Sequence, residues 1–443
     1  MSRTMHLLLG LAAAVGLALF VSQLAEIPFR SALRGYDNTF NYLWLRSALA
    51  DGDWDFRNDL AASNTLTPDH RAAALALPPT EAGRIPNKYG LGWAVLTLPF
   101  YLGADAFVAL GRATGLLTLE RDGFSAPYQI AVQTGHALLA VLALVLATRT
   151  IGRWLGDRSA ALAGVAAVWA ASPLLYYQTV NLSMSHGAAF FLVAVLAFAL
   201  ERATATPADA APGEPLRARW WLLAGAALGL AAITRFQLAV FGVVVLWAAG
   251  RNRRTVTRLA LVAAGAAPFV LLQLWAWRVV YGRWLVFSYG AEGEGFHWSR
   301  PELANSLFSP WHGLFYWHPF LLVALAGLFA WAWTRRGAAI AWSGAVALTL
   351  YVNAAWWCWW FASAFGNRGF DAALLPLMAG AAWLFHRARG PWRTALATVA
   401  VGAAAWNVYL VLLYRTGAIS RHAPLTWEEM LSAAARLPDA LRF

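Results

Sequence analysis

The chain has 443 residues, of which 60% are hydrophobic and only 13% are charged, and 25 of them are tryptophan. Soluble domains carry about 25% charged residues, so this composition excludes a soluble globular protein and predicts a polytopic membrane protein. A net charge of +12 would suggest nucleic-acid binding in a soluble protein, but here it indicates arginine on the cytoplasmic face. The single cysteine, Cys358, excludes a disulfide framework and a cysteine-based metal site.

Apolar runs of roughly spanning length, about 20 residues, predict about eleven transmembrane helices. They begin near Met5, Tyr128, Ala160, Ala188, Trp220, Phe236, Leu259, Leu314, Ala338, Ala372 and Thr394. Arginines mark alternate connections, at Arg149 to Arg158, Arg202 to Arg219, 251–258, Arg335 to Arg336 and 386–393. By the positive-inside rule these connections and the N-terminus are cytoplasmic. This topology requires the apolar segment 89–111 to lie in the outer interface rather than to cross.

The sequence therefore predicts one all-α transmembrane domain over residues 1–443, with a short extracytoplasmic tail at 415–443. The first extracytoplasmic loop, residues 28–127, is long and is expected to carry interfacial helices. His, Asn, aromatic and lone Arg residues concentrate on this face, whereas the cytoplasmic connections are short and basic. The active face is therefore expected to be extracytoplasmic. ATP and nucleotide sugars are scarce there, so an enzyme should use a membrane-borne activated substrate.

The first loop opens with RGYDNTFNYLWLRSALADGDWDFRND, residues 34–59. Apolar residues recur at helical spacing from Asn38 to Ala50, which predicts an amphipathic helix with Asp37 at its head. In one interpretation the carboxylate of Asp37 caps the helix by accepting backbone N–H bonds. In the other it takes a proton from an acceptor hydroxyl at the membrane surface. The two roles can coexist.

The stretch DGDWD, residues 51–55, resembles the Asp-x-Asp metal sites of nucleotide-sugar enzymes. Those enzymes need a nucleotide diphosphate, so a solvated turn is the simpler interpretation, and a bound hard cation such as Mg²⁺ or Mn²⁺ is the alternative. No His-x-x-x-His or His-carboxylate spacing suggests zinc. His186 and His312, each at the start of a predicted helix beside aromatic residues, are therefore expected to form hydrogen bonds.

Three basic residues on the same face are candidate phosphate ligands. Of the 34 basic residues, all except Lys88 are arginine. The ammonium of Lys88 could extend to lipid headgroups, or hold a phosphate in a close-fitting pocket. Arg235 separates two apolar runs of about 15 residues, shorter than a span, so its guanidinium needs a phosphate or a carboxylate as partner. Arg368 has the same need, with Asp371 as an alternative partner.

Four of five consecutive residues are tryptophan in WWCWWFASAFG, residues 356–366. Such a group can form an interfacial belt, or an aromatic surface that stacks on sugars or holds an isoprenoid chain. We expect a substrate cavity on this face. Its candidate lining residues are Tyr36, Asn41, Asn87, Tyr89, His186, His312, Trp356, Trp357 and Asn367.

Six segments, in this order, resemble the bacterial polytopic GT-C glycosyltransferases, in particular a branch near the protein O-mannosyltransferase and aminoarabinose transferase group. They are GYDNTFNYLWLRSALADGDWDF, PNKYGLGWAVLTLPFYL, SPLLYYQTVNLSMSH, LAAITRFQ, LFSPWHGLFYWHP and YVNAAWWCWWFASAFGNRGFD. The resemblance implies a GT-C-like helical bundle and inverting transfer of a sugar from a polyprenyl-phosphate-linked donor. It places Asp37 as the catalytic base, with Lys88, Arg235 and Arg368 around the donor phosphate.

The resemblance also implies a hexosyl- or pentosyltransferase in the bacterial inner membrane, with a glycan, lipid or protein as acceptor and no nucleic-acid partner. The chain departs from the family in two places. YDN supplies one carboxylate where relatives often have an acidic pair, and the turn Asn87 to Gly90 lacks the prolines of the family's Lys-Pro-Pro-x-Gly turn. A metal ligand set is not expected, and Mg²⁺ or Mn²⁺ remains a candidate cofactor.

Two other functions fit part of the pattern. A transporter or flippase of a lipid-linked saccharide would also use a basic lumen and an aromatic surface. It predicts internal repeats and polar residues at mid-membrane depth, whereas the spans here are mainly Ala, Leu, Val and Gly and the two halves differ. A non-catalytic lipid-binding scaffold is the second alternative, and it would not need Asp37 opposite a basic pocket.

Overall fold

The computed structural model describes residues 3–27, 29–205, 217–334 and 337–437. The predicted arginine connection Arg335 to Arg336, the first loop residue Pro28 and the end of the tail from residue 438 lie outside the described residues. The helices in the first half of the chain are α1 (Arg3–Glu26), α2 (Tyr36–Arg46), α3 (Phe56–Ala62), α4 (Pro68–Leu75), α5 (Gly92–Ala113), α6 (Ala126–Leu155), α7 (Arg158–Ala170), α8 (Leu174–Thr179), α9 (Ser185–Thr204) and α10 (Ala218–Thr234).

The second half continues with α11 (Gly242–Ala249), α12 (Thr255–Tyr281), α13 (Leu303–Phe308), α14 (Leu314–Trp317), α15 (Phe320–Thr334), α16 (Ala338–Ala355), α17 (Leu374–Arg387), α18 (Gly390–Thr416) and α19 (Trp427–Ser432). A π-helical turn at Ser47–Asp51 extends α2, and 3-10 turns at Phe236–Phe241 and Arg368–Ala373 lead into α11 and α17. An isolated antiparallel bridge joins Phe296 to Trp356.

Seven helical segments in the described part of the chain are long and apolar enough to cross a membrane. They are Gly92–Ala113, Ala126–Leu155, Ser185–Thr204, Thr255–Tyr281, Ala338–Ala355, Arg368–Arg387 and Gly390–Thr416. Shorter apolar helices accompany them in α1, α7, α10, α11 and α15. The chain is therefore an all-α, multi-pass membrane protein, as predicted. A helix begins within a few residues of each predicted start, and the count of eleven crossings stays a prediction.

Small residues let the helices of the bundle approach closely. A Cβ atom added at Gly225 of α10 would lie 2.0 Å from the carbonyl oxygen of Val262 in α12. At Gly380 of α17 it would lie 2.2 Å from the carbonyl oxygen of Ala324 in α15. Association inside a bilayer gains little from the hydrophobic effect, so van der Waals contact between close backbones stabilises such pairs.

The two ends of the bundle differ in chemistry. At one end, Arg153 of α6 donates to Glu201 of α9 at 3.0 Å, and His386 of α17 lies 3.1 Å from Asp157 before α7. The other predicted arginine connections that the structure describes adjoin the same end. The opposite end gathers the beginnings of α2 and α9 and the ends of α10, α12 and α16. Polar side chains and a cavity lie there.

Helix α5 meets the length and hydropathy of a span, although most of it was expected to lie in the interface. The hydroxyl of Thr97 lies 2.8 Å from Nε2 of His136, and Asp105 accepts a hydrogen bond of 2.7 Å from Tyr128. Both partners belong to the first half of α6, towards the cavity end of the bundle. Such contacts fit an interfacial helix and a crossing helix alike, so the placement of α5 relative to the membrane stays a prediction.

The packing at Gly380 predicts a selective loss of stability. The substitution Gly380→Ala should cost about 1–3 kcal/mol, because the new methyl group collides with the backbone of α15. At Gly402 of α18 an added Cβ atom would meet nothing within 4 Å. The substitution Gly402→Ala should therefore leave the protein's stability unchanged or raise it by about 0.5–1 kcal/mol. Thermal denaturation in detergent compares the two variants. Equal midpoints would contradict the packing of α15 against α17.

Candidate active site

A cavity of about 590 Å³ lies at the end of the bundle away from the arginine connections. Its walls come from the ends of α2, α9, α10, α12 and α16, and from the connecting segments 286–296 and 356–368. All four residues predicted to take part in the transfer line it: Asp37, Lys88, Arg235 and Arg368. The folded chain thus brings together residues from four separate sequence segments.

Asp37 is the second residue of α2, which follows Gly35, a glycine with a φ of 106°. Its Oδ1 accepts a hydrogen bond of 2.6 Å from the hydroxyl of Tyr89, and its Oδ2 lies 3.0 Å from Nη2 of Arg368. The side chain of Asn41 donates to the carbonyl oxygen of Asp37 at 2.8 Å. The carboxylate therefore faces the cavity and its cation, rather than capping its own helix.

The surroundings of Asp37 keep it ionised. Burial alone would raise the pKa of this carboxyl, but the positive charge of Arg368 and the hydrogen bond from Tyr89 outweigh burial and lower it. Lys88 and Arg235 add to the lowering. Burial and the neighbouring charge of Asp37 raise the pKa of Tyr89 well above its ordinary value. At neutral pH, the hydroxyl of Tyr89 therefore donates a hydrogen bond to the ionised carboxylate of Asp37, which can only accept.

Lys88 is buried in the wall of the cavity. Its Nζ forms an ion pair of 3.1 Å with Oε1 of Glu294. The rings of Tyr36, Tyr89 and Tyr289 lie 5.4, 5.7 and 5.8 Å from the same nitrogen, within range of cation–π attraction. The three rings and the carboxylate hold the ammonium in one place.

Arg235 follows α10 in extended conformation, and its Nη1 lies 2.8 and 2.7 Å from the two ring nitrogens of His186. Nδ1 of His186 lies 3.3 Å from Oδ2 of Asp371, and both of these side chains are buried. The sequence offered Asp371 as a salt-bridge partner for Arg368. The structure instead pairs Arg368 with Asp37, and Asp371 supports His186.

The structure divides the nine candidate lining residues into two groups. Those that line the cavity are Tyr89, His186, Trp356 and Trp357. Those that lie outside its lining are Tyr36, Asn41, Asn87, His312 and Asn367. The second group holds the walls in place.

Two of these wall residues show how a polar side chain can serve the backbone instead of the cavity. Asn87 donates to the carbonyl oxygen of Phe40 at 2.8 Å and accepts from the amide of Tyr89 at 3.1 Å. Asn367 donates to the carbonyl oxygen of Ser306 at 3.1 Å. Each asparagine satisfies backbone groups that would be costly to bury unpaired.

The aspartates of DGDWD form a turn. Oδ1 of Asp53 accepts from the hydroxyl of Ser47 and from the amide of Asp55, both at 3.0 Å, and Asp51 pairs with Arg46. In the described ranges no group of three or more His, Cys, Asp or Glu residues is placed to hold a metal ion. No step proposed below passes through a metal.

No protein-family model matches the chain, and no curated protein sequence matches it. Solved structures are similar over 99% of the chain. ArnT from Cupriavidus metallidurans matches in the apo state (TM-score 0.52, 14% identity, 72% of that chain) and bound to undecaprenyl phosphate (0.51, 15%, 72%). AglB, an archaeal oligosaccharyltransferase from Archaeoglobus fulgidus in complex with an inhibitory peptide and a dolichol-phosphate, matches over 59% of its chain (0.51, 14%).

Both neighbours are GT-C superfamily members. The chain has the GT-C fold. This confirms the fold class that the six ordered segments predicted. At 14–15% identity the similarity describes the fold alone, so function is argued from the cavity of this chain.

Sequence reasoning missed several residues of the cavity in this GT-C bundle. Glu294, Tyr289, Phe296 and Gln237 all line it. A signal for Glu294 was present, because it is a carboxylate between two glycines on the polar face, in AEGEGF. Tyr289 and Phe296 carry no such signal, since their positions depend on the path of the loop after α12.

The ion pair between Arg368 and Asp37 should couple the two ends of the chain. Arg368→Gln leaves a partly buried carboxylate without its cation and should lower stability by about 1–3 kcal/mol. Adding Asp37→Asn should restore part of that loss. Arg34→Gln removes an exposed 3.4 Å contact with Glu26 and should cost under about 0.5 kcal/mol. Thermal denaturation of the wild type, the single variants Arg368→Gln and Asp37→Asn, and the double variant measures the coupling, and additive effects would exclude it.

Proposed function

We propose that this protein is an inverting glycosyltransferase that moves a sugar from a polyprenyl-phosphate-linked donor to an extracytoplasmic acceptor. One observation carries the proposal: a single cavity holds an ionised carboxylate, Asp37, beside three basic side chains, Lys88, Arg235 and Arg368. The GT-C fold supports it, because ArnT is similar in structure and has been solved bound to undecaprenyl phosphate.

The cavity suits a phosphate attached to a long apolar chain. Arg235 and Arg368 offer planar donor groups to phosphate oxygens, and Lys88 offers a compact charge. Trp356, Trp357 and other aromatic residues form the adjoining wall and provide an apolar surface for an isoprenoid chain. The arginine-rich connections at the opposite end favour a cytoplasmic location for that end, which leaves the cavity on the extracytoplasmic side of a bacterial inner membrane.

The transfer breaks the bond between the anomeric carbon and the phosphate oxygen and forms a bond to the acceptor oxygen. Lys88, Arg235 and Arg368 would stabilise the negative charge that grows on the departing phosphate. Asp37 would accept the acceptor's proton from the opposite face of the sugar, which inverts the anomeric centre. Tyr89 holds the carboxylate in place through its 2.6 Å hydrogen bond.

Donor binding should also strengthen the base. In the donor-free cavity Arg368 lies 3.0 Å from Asp37 and lowers the pKa of that carboxyl. A phosphate that shares the charge of Arg368 weakens this effect, so the pKa of Asp37 rises towards the range in which a carboxylate is a better proton acceptor. Binding of the leaving group and activation of the acceptor are linked through one guanidinium.

The test uses vesicles that contain the reconstituted protein, radiolabelled polyprenyl-phosphate sugars and envelope acceptors. Asp37→Asn should reduce transfer by about 10²–10⁴-fold while donor binding persists, because the amide cannot take the proton. Asp69→Asn, an exposed aspartate of the same loop, is the matched control and should transfer like the wild type.

Three results would contradict the proposal or part of it. Labelled lipid that crosses the bilayer without consumption of donor would identify a transporter or flippase. Full transfer by Asp37→Asn would show that Asp37 is not the base. A wild type that binds the donor lipid but transfers no sugar would favour a binding scaffold.

A further inference from the structure

We propose that Glu294 occupies the place of the donor phosphate on Lys88 when the cavity is empty, and that a phosphate-bearing lipid displaces it. The inference rests on the proposed function, because the displacing group is the phosphate of a polyprenyl-linked substrate or product. Glu294 has no step in the transfer described above. It nevertheless forms an ion pair with Lys88, the one lysine of this arginine-rich sequence.

The contact is direct and sheltered from water. Oε1 of Glu294 lies 3.1 Å from Nζ of Lys88, and the two side chains are 17% and 9% exposed. Both residues line the 590 Å³ cavity, on the side where Arg235 and Arg368 also project. A carboxylate and a phosphate present similar anionic oxygens to an ammonium at similar distances. The ammonium of Lys88 is surrounded by three tyrosine rings, which leave little room for the carboxylate and a phosphate together.

Two of the three cations of the cavity are paired with carboxylates in the absence of a ligand. Lys88 is paired with Glu294, and Arg368 is paired with Asp37. A phosphate must therefore compete with an internal carboxylate for each of these cations. Asp37 has to remain in place, because it is the proposed base. Glu294 is the carboxylate that can leave.

The local backbone permits that departure. Glu294 lies between Gly293, which has a φ of 74°, and Gly295, and a Cβ added at either glycine would meet nothing within 4 Å. The flanking chain is anchored, because the amide of Trp357 donates to the carbonyl oxygen of Gly295 at 3.0 Å and Phe296 bridges Trp356. A rotation of the Glu294 side chain can therefore break its ion pair with Lys88 without moving the wall.

Such a carboxylate should weaken product binding more than donor binding. The donor is a phosphodiester with one negative charge, whereas the released polyprenyl phosphate is a monoester with about −1.5 to −2 charges at pH 7. Repulsion from Glu294 acts on the larger charge more strongly. Glu294 is thus a specificity-determining residue that favours exchange of spent carrier for fresh donor.

The test measures the Kd of undecaprenyl phosphate for the full-length protein in nanodiscs. Glu294→Gln should lower the Kd by about tenfold, the factor that corresponds to about 1.4 kcal/mol of competing interaction. Lys88→Gln should raise the Kd, and in that background Glu294→Gln should change it by less than about twofold, since no ammonium is left to compete for. Glu302→Gln, an exposed carboxylate that accepts from Asn305, is the matched control and should leave the Kd unchanged.

These binding measurements distinguish failure of this inference from failure of the proposed function. A wild type that binds undecaprenyl phosphate no better than neutral undecaprenol contradicts the proposed function itself. A wild type that prefers the phosphate, with Glu294→Gln equal or weaker, overturns the displacement alone. Tightening for inorganic phosphate but not for the lipid would assign the place on Lys88 to free phosphate and overturn the lipid assignment.

Discussion

The ion pair between Asp37 and Arg368 is the interaction on which the site depends. It joins the first helix after α1 to the turn that leads into α17, and it lies where the bundle meets the first loop. Charges at such a boundary are costly unless a partner or a cavity receives them. The neighbouring helices end at this point, so that polar groups meet at one end of the bundle and apolar groups fill the remainder.

The pairing also explains how the cavity can hold three cations close together. Each basic side chain of the cavity has a local partner: Glu294 for Lys88, His186 for Arg235 and Asp37 for Arg368. A ligand with phosphate charge therefore enters by exchange of partners rather than by filling an unpaired site. This exchange links donor binding to the strength of the base and to the release of the spent carrier.

Much of the fold was predictable because membrane spans are encoded locally. Apolar runs and arginine connections located the starts of the helices, and the helix at Tyr36–Arg46 with its π-helical extension matches the predicted amphipathic segment. The sequence singled out Asp37, Lys88, Arg235 and Arg368, because a charged side chain beside an apolar run needs a partner or a cavity. Asn87, Asn367 and His312 carried the same polar signal but bind backbone groups, a choice that depends on the local turn. The position of Glu294 depends on contacts between distant segments, which periodicity does not encode.

The central claim is that the cavity lined by Asp37 and the three basic residues binds a polyprenyl phosphate. A cryo-electron microscopy structure of the protein in nanodiscs with undecaprenyl phosphate tests it most directly. The account predicts phosphate density within about 3 Å of Lys88 and Arg235, with the side chain of Glu294 turned away. Phosphate density elsewhere would contradict it, for example in the 660 Å³ groove between α1 and α6 beside Arg149 and Arg158.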